Sequence, residues 1–406
     1  MNSILIITSF LPYPIRAGGD QAQFNMIEAL RNSYKIGIVF PVNRDNMSED
    51  VRALSSVWPD VKLFPYPLIC QYTFLPFFFQ KARKYLYRKL LSSQKSQIKD
   101  ALYHKDFLTS GKYLRFIEKA IEEVKPDIIQ VEFIQNLNIG AFLPGNIRKL
   151  FVHHEIGFVI TDRMLQNISL TQKQQKWKDK NKQTEIFRLN QFDGVVTLTE
   201  TDKNILLESG VKSPIYVSPA AVNTKMQEYG GWNGNIFYVG GYLHCPNHEG
   251  IDWFLSEVTP CIDWRLYPHV KLVIIGSGWP LSYEREFNGL RVHVAGYVDD
   301  LSKHLSHGIM IVPLLTGSGM RMKILDAAAL SVPFVSTSVG AEGLKFCNGD
   351  SCLIGDGASG FAQALTRLIS DENLRATLAK NAHRLYKENY SLEKLVEKRK
   401  KIYQKL

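Results

Sequence analysis

The stretch of sequence that decides the fold runs from residue 311 to residue 344 and reads IVPLLTGSGMRMKILDAAALSVPFVSTSVGAEGL. It begins inside a predicted strand, Ile309–Pro313, and continues through a glycine-rich loop into a predicted helix, Met320–Ala329. A second predicted strand, Pro333–Ser336, follows soon after this helix. A helix between two short and almost wholly apolar strands is typical of a parallel sheet that is covered on both faces.

The same alternation of strand and helix recurs along the chain. In the first half the predicted strands are Ile4–Thr8, Lys35–Phe40, Asp127–Val131, Leu150–His153 and Gly194–Thr197. In the second half the other predicted strands are Asn235–Val239, Lys271–Ile275 and Arg291–Ala295. Helices are predicted at Asp20–Asn32, Asn247–Val258 and Asp299–His307, and the segment from Gly360 to Leu406 is helical in pattern. The pattern therefore predicts an α/β protein with two doubly wound sheets.

The length of 406 residues and the position of the turn-forming residues predict two domains. Prolines and a Gly-Gly pair interrupt the alternation between Ser213 and Asn233. We predict an N-terminal Rossmann-like domain over residues 1–213, a C-terminal one over residues 214–385, and a helix over residues 386–406 that returns to the first domain. Two such sheets leave a cleft, and ligands bind beyond the carboxyl ends of their strands.

The composition argues against several other classes of protein. Hydrophobic residues make up 45% and charged residues 22%, which is typical of globular proteins. The longest apolar stretch, Leu68–Phe79, is shorter than the roughly 20 residues of a membrane span. No basic region precedes the apolar run Ile4–Thr8, which argues against a signal peptide. The five cysteines form no C-x-x-C pair, which predicts neither a zinc site nor a disulfide framework and favours the cytoplasm.

The net charge of +10 is unevenly distributed. An aromatic run, Phe74–Phe79, precedes the basic segment Lys81–Arg88, and a second basic cluster lies at Lys394–Lys405. These segments are interpreted either as solvated helix faces or as a surface that contacts anionic lipid, with the protein peripheral on the inner face of the plasma membrane. We predict no nucleic-acid partner.

Each half carries a glycine turn directly after its first strand. In the first half Gly18 and Gly19 precede a helix, and in the second half Gly240 and Gly241 precede Asn247, a residue that we predict to cap a helix. Such turns let backbone N–H groups approach an anion. Neither turn has the G-x-G-x-x-G or G-x-x-x-x-G-K-[ST] pattern, which argues against an NAD enzyme and a P-loop NTPase.

The loop Gly317–Gly319 and the helix that follows it suit a diphosphate. Arg321 and Lys323 lie near the predicted helix N-terminus, where backbone donors and two cations can bind an anion together. Asp326 lies about one turn deeper, where its carboxylate can accept hydrogen bonds from ribose hydroxyls. The alternative is a surface helix that faces water, but cations at a helix N-terminus oppose its dipole.

At these residues the sequence resembles glycosyltransferase family 4, in the branch that reads G-x-G-x-R-x-K-[IV]-L-E-A and later G-A-E-G-L. The matching residues are Gly317, Gly319, Arg321, Lys323, Asp326 and Gly340–Leu344. Other segments similar to the family are Pro246–Asn247, Ala295–Leu301, Phe151–Ile156, Pro12–Gly19 and Thr197–Asp202. The resemblance is strong over Val239–Leu344 and moderate in the first half.

The resemblance implies a GT-B fold, transfer with retention, no cofactor or metal, and a nucleotide-diphosphate sugar of UDP or GDP type as co-substrate. The absence of any D-x-D sequence agrees with the expected lack of a metal. The implied catalytic residues are His154, which would touch the donor sugar, and Arg321 and Lys323, which would neutralise the leaving diphosphate. The implied donor-binding residues are Gly18, Gly19, Gly241, Asn247, Gly317, Ser318, Gly319, Met320, Asp326, Glu342 and Gly343.

The chain departs from the family at one pair of positions. Many members carry Glu-x7-Glu, and those two positions fall on Ser318 and Asp326 here. Ser318 cannot serve as a carboxylate, and Asp326 is one methylene shorter than Glu. His153 and His154 point to opposite faces of an extended strand, and the family pattern favours His154 as the functional one.

The predicted activity is hexosyl transfer to a saccharide or lipid-linked saccharide in the synthesis of a surface polysaccharide or glycolipid. Two other functions stay open for this sequence. A nucleotide-sugar epimerase would share the diphosphate site but would need acid and base groups at the sugar. A non-catalytic module would bind a nucleotide-sugar or a glycan without reaction.

Overall fold

The computed structural model describes residues 2–15, 18–43, 47–68, 110–166, 168–224, 228–317 and 319–406. The chain divides into two compact units. The first unit comprises Met1–Pro14, Leu30–Ser218 and Arg399–Leu406, and the second comprises Ile15–Ala29 and Pro219–Lys398. The basic segment Lys81–Arg88 and the aromatic run before it lie outside the described residues.

The first unit is built on one parallel sheet. Its strands are β1 (Ser3–Ile7), β2 (Lys35–Asn43), β3 (Lys62–Leu68), β4 (Ile128–Glu132), β5 (Arg148–His153), β6 (Gly194–Thr197) and β7 (Ile215–Val217). The sheet order is β3-β2-β1-β4-β5-β6-β7, and each neighbouring pair is parallel. The order reverses between β1 and β4, where the crevice of a doubly wound sheet binds ligands. Leu5, Ile129 and Phe151 are fully buried in its core.

The second unit repeats this plan. Its strands are β8 (Asn235–Val239), β9 (Lys271–Ile275), β10 (Glu286–Phe287), β11 (Leu290–Gly296), β12 (Gly308–Val312), β13 (Phe334–Ser336) and β14 (Leu353–Ile354). Their order is β10-β11-β9-β8-β12-β13-β14, parallel except for the hairpin of β10 and β11. The order of this sheet reverses between β8 and β12. Two Rossmann-like sheets were predicted from the sequence, and the structure contains them.

Helices connect the strands. They are α1 (Gly18–Leu30), α2 (Met47–Val57), α3 (Gly111–Val124), α4 (Gly157–Leu165), α5 (Gln172–Leu189), α6 (Glu200–Glu208), α7 (Cys245–Trp253), α8 (Leu301–Leu305), α9 (Met322–Ala329), α10 (Ser338–Ala341), α11 (Gly357–Ser370), α12 (Glu372–Asn389) and α13 (Leu392–Lys405). Almost all of α1 groups with the second unit, whereas the last residues of α13 group with the first. None of the described helices is long and apolar enough to cross a membrane.

Several predicted boundaries were wrong by a turn or less. Helix α9 begins at Met322, with Arg321 as its N-cap, because residues 319–320 complete the glycine loop. The predicted helix Asn247–Val258 begins earlier, at Cys245, and its last turn, Phe254–Val258, is a π-helix. Its N-cap is therefore His244 and not Asn247, since Pro246 takes an early position in the first turn.

Helix α7 lies directly on the end of β12 because residue 250 has no side chain. A Cβ atom at Gly250 would lie 2.4 Å from the carbonyl oxygen of Pro313. At Gly360 in α11, by contrast, a Cβ atom would meet nothing closer than 3.9 Å. The two helical glycines therefore predict opposite responses to the same substitution.

Gly250→Ala is expected to lower the free energy of unfolding by about 1–3 kcal/mol, since backbone atoms must move to admit the methyl group. Gly360→Ala is expected to raise it by about 0.5–1 kcal/mol, because alanine loses less backbone entropy in a helix. Denaturant unfolding of both variants and the wild type measures these changes. Equal stability of the two variants would contradict the close approach of α7 to β12.

Candidate functional site

The first candidate site lies at the switch point of the second unit, where β8 and β12 end. Strand β8 leads into Gly240, whose carbonyl oxygen accepts a hydrogen bond from Trp279 Nε1 at 2.7 Å. A Cβ atom at Gly240 would lie 2.7 Å from Asn247 Nδ2, and one at Gly276 would lie 2.3 Å from the Gly240 oxygen. Only glycine fits this turn, which brings the backbone close to the N-terminus of α7.

Asn247 joins this turn to the other half of the site. Its Nδ2 donates to the carbonyl of Gly241 at 2.9 Å, so its Oδ1 faces the other way and accepts from Lys323 Nζ at 3.1 Å. The turn after β8 and the helix after β12 are thus connected through one buried amide. Asn247 was predicted as a site residue in the role of helix cap, and the structure gives it this bridging role instead.

The ammonium of Lys323 lies against Tyr238. Its Nζ donates to the phenol oxygen at 3.0 Å and lies 4.3 Å from the ring centroid. Burial and then the nearby charge of Arg321 lower the pKa of Lys323 to about 7. Burial also raises the pKa of Tyr238 well above its ordinary value, so the phenol stays neutral and does not offset the lysine charge.

Arg321 holds the glycine loop in place. It is only 7% exposed, and its guanidinium donates hydrogen bonds to the carbonyl oxygens of Gly319 and, at 3.3 Å, Val339. Both Gly317 and Gly319 adopt positive φ, at 115° and 74°, a conformation that favours glycine. Ser318 between them lies outside the described residues. The interpretation of this segment as a helix with Arg321 facing water is wrong, because the side chain is buried.

His244 adds a third basic side chain. Partial burial and the charges of Lys323 and Arg321 lower its pKa, against a hydrogen bond with Asn247 that favours the charged form. Neighbouring basic groups with lowered pKa values mark a candidate functional site. His244 was not predicted as a site residue from the sequence.

Asp326 lies about one turn beyond Lys323 on α9 and is buried, at 2% exposure. Its carboxylate accepts from Gln21 Nε2 at 3.1 and 3.3 Å and from Thr224 Oγ1 at 2.9 Å. Burial raises its pKa to about 6, although both hydrogen bonds act to lower it. Asp326 therefore fastens α1 and the segment before β8 onto α9, and its contact with ribose stays a prediction.

The remaining predicted donor residues lie on α1, beside Arg321 and after the short helix α10. Gly18 and Gly19 form the first turn of α1, and a Cβ atom at Gly18 would lie 3.2 Å from Met322 Cγ. Met320 lies between the glycine loop and Arg321. Glu342 and Gly343 follow the short helix α10, whose first turn is capped by Thr337 through Gly340 N at 2.9 Å.

The second candidate site lies at the switch point of the first unit. His154 follows β5 directly, and its Nε2 lies 3.0 Å from Oε2 of Glu132, the last residue of β4. The imidazole ring is stacked on Phe133, with centroids 4.0 Å apart and planes inclined by 11°. Glu132 is fully buried, whereas the side chain of His154 keeps 11% of its exposure. His154 is thus the partly accessible end of a buried pair.

His153 points the other way, as the alternation of an extended strand requires. It is 1% exposed, and its Nε2 lies 3.0 Å from Glu185 Oε1. The same carboxylate accepts from the backbone N–H groups of Gly157 and Phe158 and so caps α4. His153 is a structural residue, which leaves His154 as the histidine available for chemistry.

Within the described parts of the chain, no three His, Cys, Asp or Glu side chains are arranged to hold a metal ion. The expected independence of metal stays a prediction.

The pKa of Lys323 predicts that binding of a nucleotide diphosphate takes up a proton. Above pH 7 this lysine is mostly neutral in the free protein, and a diphosphate beside it would raise its pKa. Affinity should therefore fall as the pH rises above about 7, and uptake at pH 8 should approach one proton per ligand. Calorimetry in buffers of different ionisation enthalpy measures the uptake. Unchanged uptake in Lys323→Met would assign the proton to another group.

Comparison with known proteins agrees with this architecture. Residues 233–371 match the family model described as Glycosyl transferases group 1. Sucrose-phosphate synthase from Thermosynechococcus elongatus has a similar structure, with a TM-score of 0.70, 14% identity, and coverage of 100% of this chain and 99% of that one. HepE from Anabaena, solved in complex with UDP and glucose, gives a TM-score of 0.67 and 13% identity over 100% of both chains.

A mutant of TarM from S. aureus, solved with Fondaparinux, alpha-GlcNAc-glycerol and UDP, gives a TM-score of 0.67 at 14% identity, over 99% of this chain and 100% of that one. A relative by sequence is an uncharacterized 44.6 kDa protein in the cps region of Klebsiella pneumoniae, 26% identical over 215 residues. That match covers 50% of this chain and 54% of the relative, so the chain spans about half the length of this relative.

The fold and the matched domain together indicate the class of protein to which this chain is similar. Both sheets, their order and the structural likeness establish the α/β GT-B fold that was predicted. Residues 233–371, which contain Arg321 and Lys323, are similar to the domain described as Glycosyl transferases group 1.

Proposed function

We propose that the protein moves a hexosyl group from a nucleotide-diphosphate sugar to a saccharide or lipid-linked saccharide, with retention and without a metal. The observation that carries this proposal is the buried ammonium of Lys323. It binds only neutral groups, Tyr238 and Asn247, and pairs with no carboxylate among the described residues. A buried cation without a counter-charge is costly, and a bound anion would remove that cost.

The charges suit departure of a diphosphate. Breaking a glycosidic phosphate bond builds negative charge on the leaving group, and Lys323 and Arg321 would stabilise that charge at the N-terminus of α9. Arg321 offers a planar fork and Lys323 a point charge. His154 would act on the donor sugar. Because both cations are already fixed by neighbouring groups, little reorganisation is needed during the reaction.

UDP-sugars are the first donors to test. HepE and TarM were both solved with UDP, and HepE also with glucose. GDP-sugars are the second set of donors to test. The proposal of a saccharide acceptor is supported by the alpha-GlcNAc-glycerol that is present in the TarM complex. We propose a cytoplasmic role in the synthesis of a surface polysaccharide or glycolipid.

The test is thermal unfolding in the presence of UDP, GDP and their sugars, because a ligand that binds only the folded state raises the melting temperature. At a ligand concentration of 100 times Kd the gain is about 2.7 kcal/mol. Lys323→Met should lose this shift. Product analysis of the stabilising donor follows, with and without acceptor saccharides. Donor conversion without acceptor would indicate an epimerase, and binding without turnover a non-catalytic module; either result would overturn the proposal.

We also propose peripheral contact with anionic membrane. Besides the basic segments seen in the sequence, α5 carries five lysines and an exposed tryptophan: Lys173, Lys176, Lys178, Lys180, Lys182 and Trp177. Along its first three turns most side chains are exposed and the others are partly exposed. Lysines near anionic lipid contribute about 1 kcal/mol each, and tryptophan favours the interface.

Vesicle sedimentation tests the membrane proposal. Binding should require anionic lipid and should decrease with salt, because the Debye length falls from about 10 Å at 0.1 M to about 3 Å at 1 M. Lys176→Gln with Lys180→Gln should weaken it by about 2 kcal/mol, or roughly 30-fold. Lys271→Gln, an exposed lysine of the second unit, serves as the control. Equal binding to neutral and anionic vesicles would contradict the proposal.

A further inference from the structure

A buried line of hydrogen bonds leads from the C-terminal helix to His154. Tyr403 Oη, on the last turns of α13, donates to Gln130 Oε1 at 2.7 Å. Gln130 Nε2 donates to Glu132 Oε1 at 2.5 Å, and Glu132 Oε2 lies 3.0 Å from His154 Nε2. All four residues belong to the first unit. Gln130 and Glu132 are wholly inaccessible to solvent.

The direction of each bond can be deduced from its donors. Because Gln130 Oε1 accepts from the tyrosine hydroxyl, the amide NH2 group must face Glu132. An ionised carboxylate has no proton to give, so Nε2 of His154 must be the donor in its bond to Glu132. The tautomer of His154 is then fixed, and Nδ1 becomes the nitrogen that can accept a proton or a hydrogen bond from a substrate.

The charges around Glu132 keep it ionised. Burial alone would raise its pKa, but the hydrogen bond from His154, the charge of Arg399 and the bond from Gln130 together hold it below its ordinary value. Arg399 lies on α13, one turn before Tyr403, and is only 2% exposed. The C-terminal helix thus supplies both the counter-charge and the first hydrogen bond of the line.

Packing fixes the imidazole plane as well. Phe133 is stacked on one face of His154, and Phe10 contacts Phe133 with centroids 4.6 Å apart. The backbone of Phe133 has φ of 67° and ψ of 142°, a strained conformation for a residue with a side chain. Strain of about 1–3 kcal/mol persists only where the surroundings impose it, and it concentrates at functional sites.

We infer that Glu132 is a positioning residue that sets the Nε2–H tautomer of His154 and directs Nδ1 towards the substrate, with Arg399 and Tyr403 holding Glu132 in place. This inference rests on the proposed function only for the role of His154 in turnover. The tautomer itself is a property of the free protein.

Glu132→Gln gives a sharp test because Gln130 constrains the new amide. Gln130 Nε2 still needs an acceptor, so the new carbonyl should face Gln130 and the new NH2 group should face His154. Nε2 of His154 would then have to accept, and the neutral ring should invert to its Nδ1–H tautomer. Two-bond 1H–15N spectra of the protein labelled with 15N-histidine distinguish the two tautomers, and His154→Gln assigns the resonance.

We expect the Nε2–H tautomer in the wild type and the Nδ1–H tautomer in Glu132→Gln. Turnover should fall by about 10- to 100-fold, the range seen when hydrogen-bonded partners of metal-bound histidines are removed, with KM for the donor within twofold. Tyr403→Phe combined with Glu132→Gln should give a mixture of tautomers, because Gln130 then loses the fixed orientation that constrains the new amide. Glu185→Gln, which alters the equivalent pair at His153, should lower stability but leave the His154 signal unchanged.

The Nδ1–H tautomer in the wild type, or an unchanged tautomer in Glu132→Gln, would overturn the inference. An inverted tautomer supports it whether or not turnover falls. Unchanged turnover beside an inverted tautomer would instead count against the proposed role of His154. The wild-type measurement alone decides the tautomer if the variant does not fold.

Discussion

Lys323→Met is expected to lower turnover by about 10²–10³, the usual effect of removing one oriented group that stabilises developing charge. Methionine keeps the length of the side chain and its packing against Tyr238 but cannot be charged. Binding of the nucleotide diphosphate should weaken by roughly 10- to 100-fold, since a hydrogen bond to a charged group contributes about 1.5–3 kcal/mol. Steady-state kinetics and calorimetry with the identified donor measure the two effects.

Arg321→Ala should have a similar effect on turnover, and the double variant should cost less than the product of the singles because both cations act on one anion. Lys271→Met, at the opposite end of the strands, should behave as the wild type. Activity should survive EDTA. Wild-type turnover in both single variants, or complete loss on chelation, would contradict the proposed donor site.

His154→Ala is expected to reduce turnover by about 10²-fold or more while the nucleotide diphosphate binds with nearly unchanged affinity. The reason is that the cations proposed to bind the diphosphate belong to the second unit, whereas His154 belongs to the first. Loss of the imidazole would also leave Glu132 buried without one of its partners, so the variant should be less stable. Kinetics must therefore be measured below its melting temperature.

His293→Ala is a suitable control, since this histidine is exposed and pairs only weakly with Glu284 at 2.9 Å. It should retain full turnover and stability. Full turnover in His154→Ala with the identified donor would show that the assignment of this histidine is wrong.

The central strands could be predicted from the sequence because they are buried on both faces and their residues are therefore mostly apolar. The edge strands could not. Strand β3 contains Pro65 and Pro67, which interrupt a strand pattern and are tolerated at the edge of a sheet. Strand β14 has only two residues. Helix α5 was missed because most of its surface is polar, so no apolar stripe reveals the helical period.

The residues of the candidate site also fall into those that could be predicted from the sequence and those that could not. Arg321 and Lys323 could be predicted because they lie within one short motif at a helix N-terminus. Tyr238 and Glu132 are distant from their partners in sequence, and only the packing of the folded chain brings them into contact with Lys323 and His154. Nothing in the sequence around Glu132 distinguishes it from an ordinary charged residue at the end of a strand.

The grouping of Arg399–Leu406 with the first unit has a consequence for the order of synthesis. The sheet of the first unit has left the ribosome long before them, because residues 219–398 are made in between. At 5–20 residues per second this interval lasts roughly 10 to 40 s. During it, Glu132 is without the counter-charge of Arg399, and Gln130 is without the hydroxyl of Tyr403. The nascent first unit must therefore wait in an incomplete form, and a ribosome that stalls within the second unit would hold a chain in which Arg399 and Tyr403 are not yet available to hold Glu132 in place.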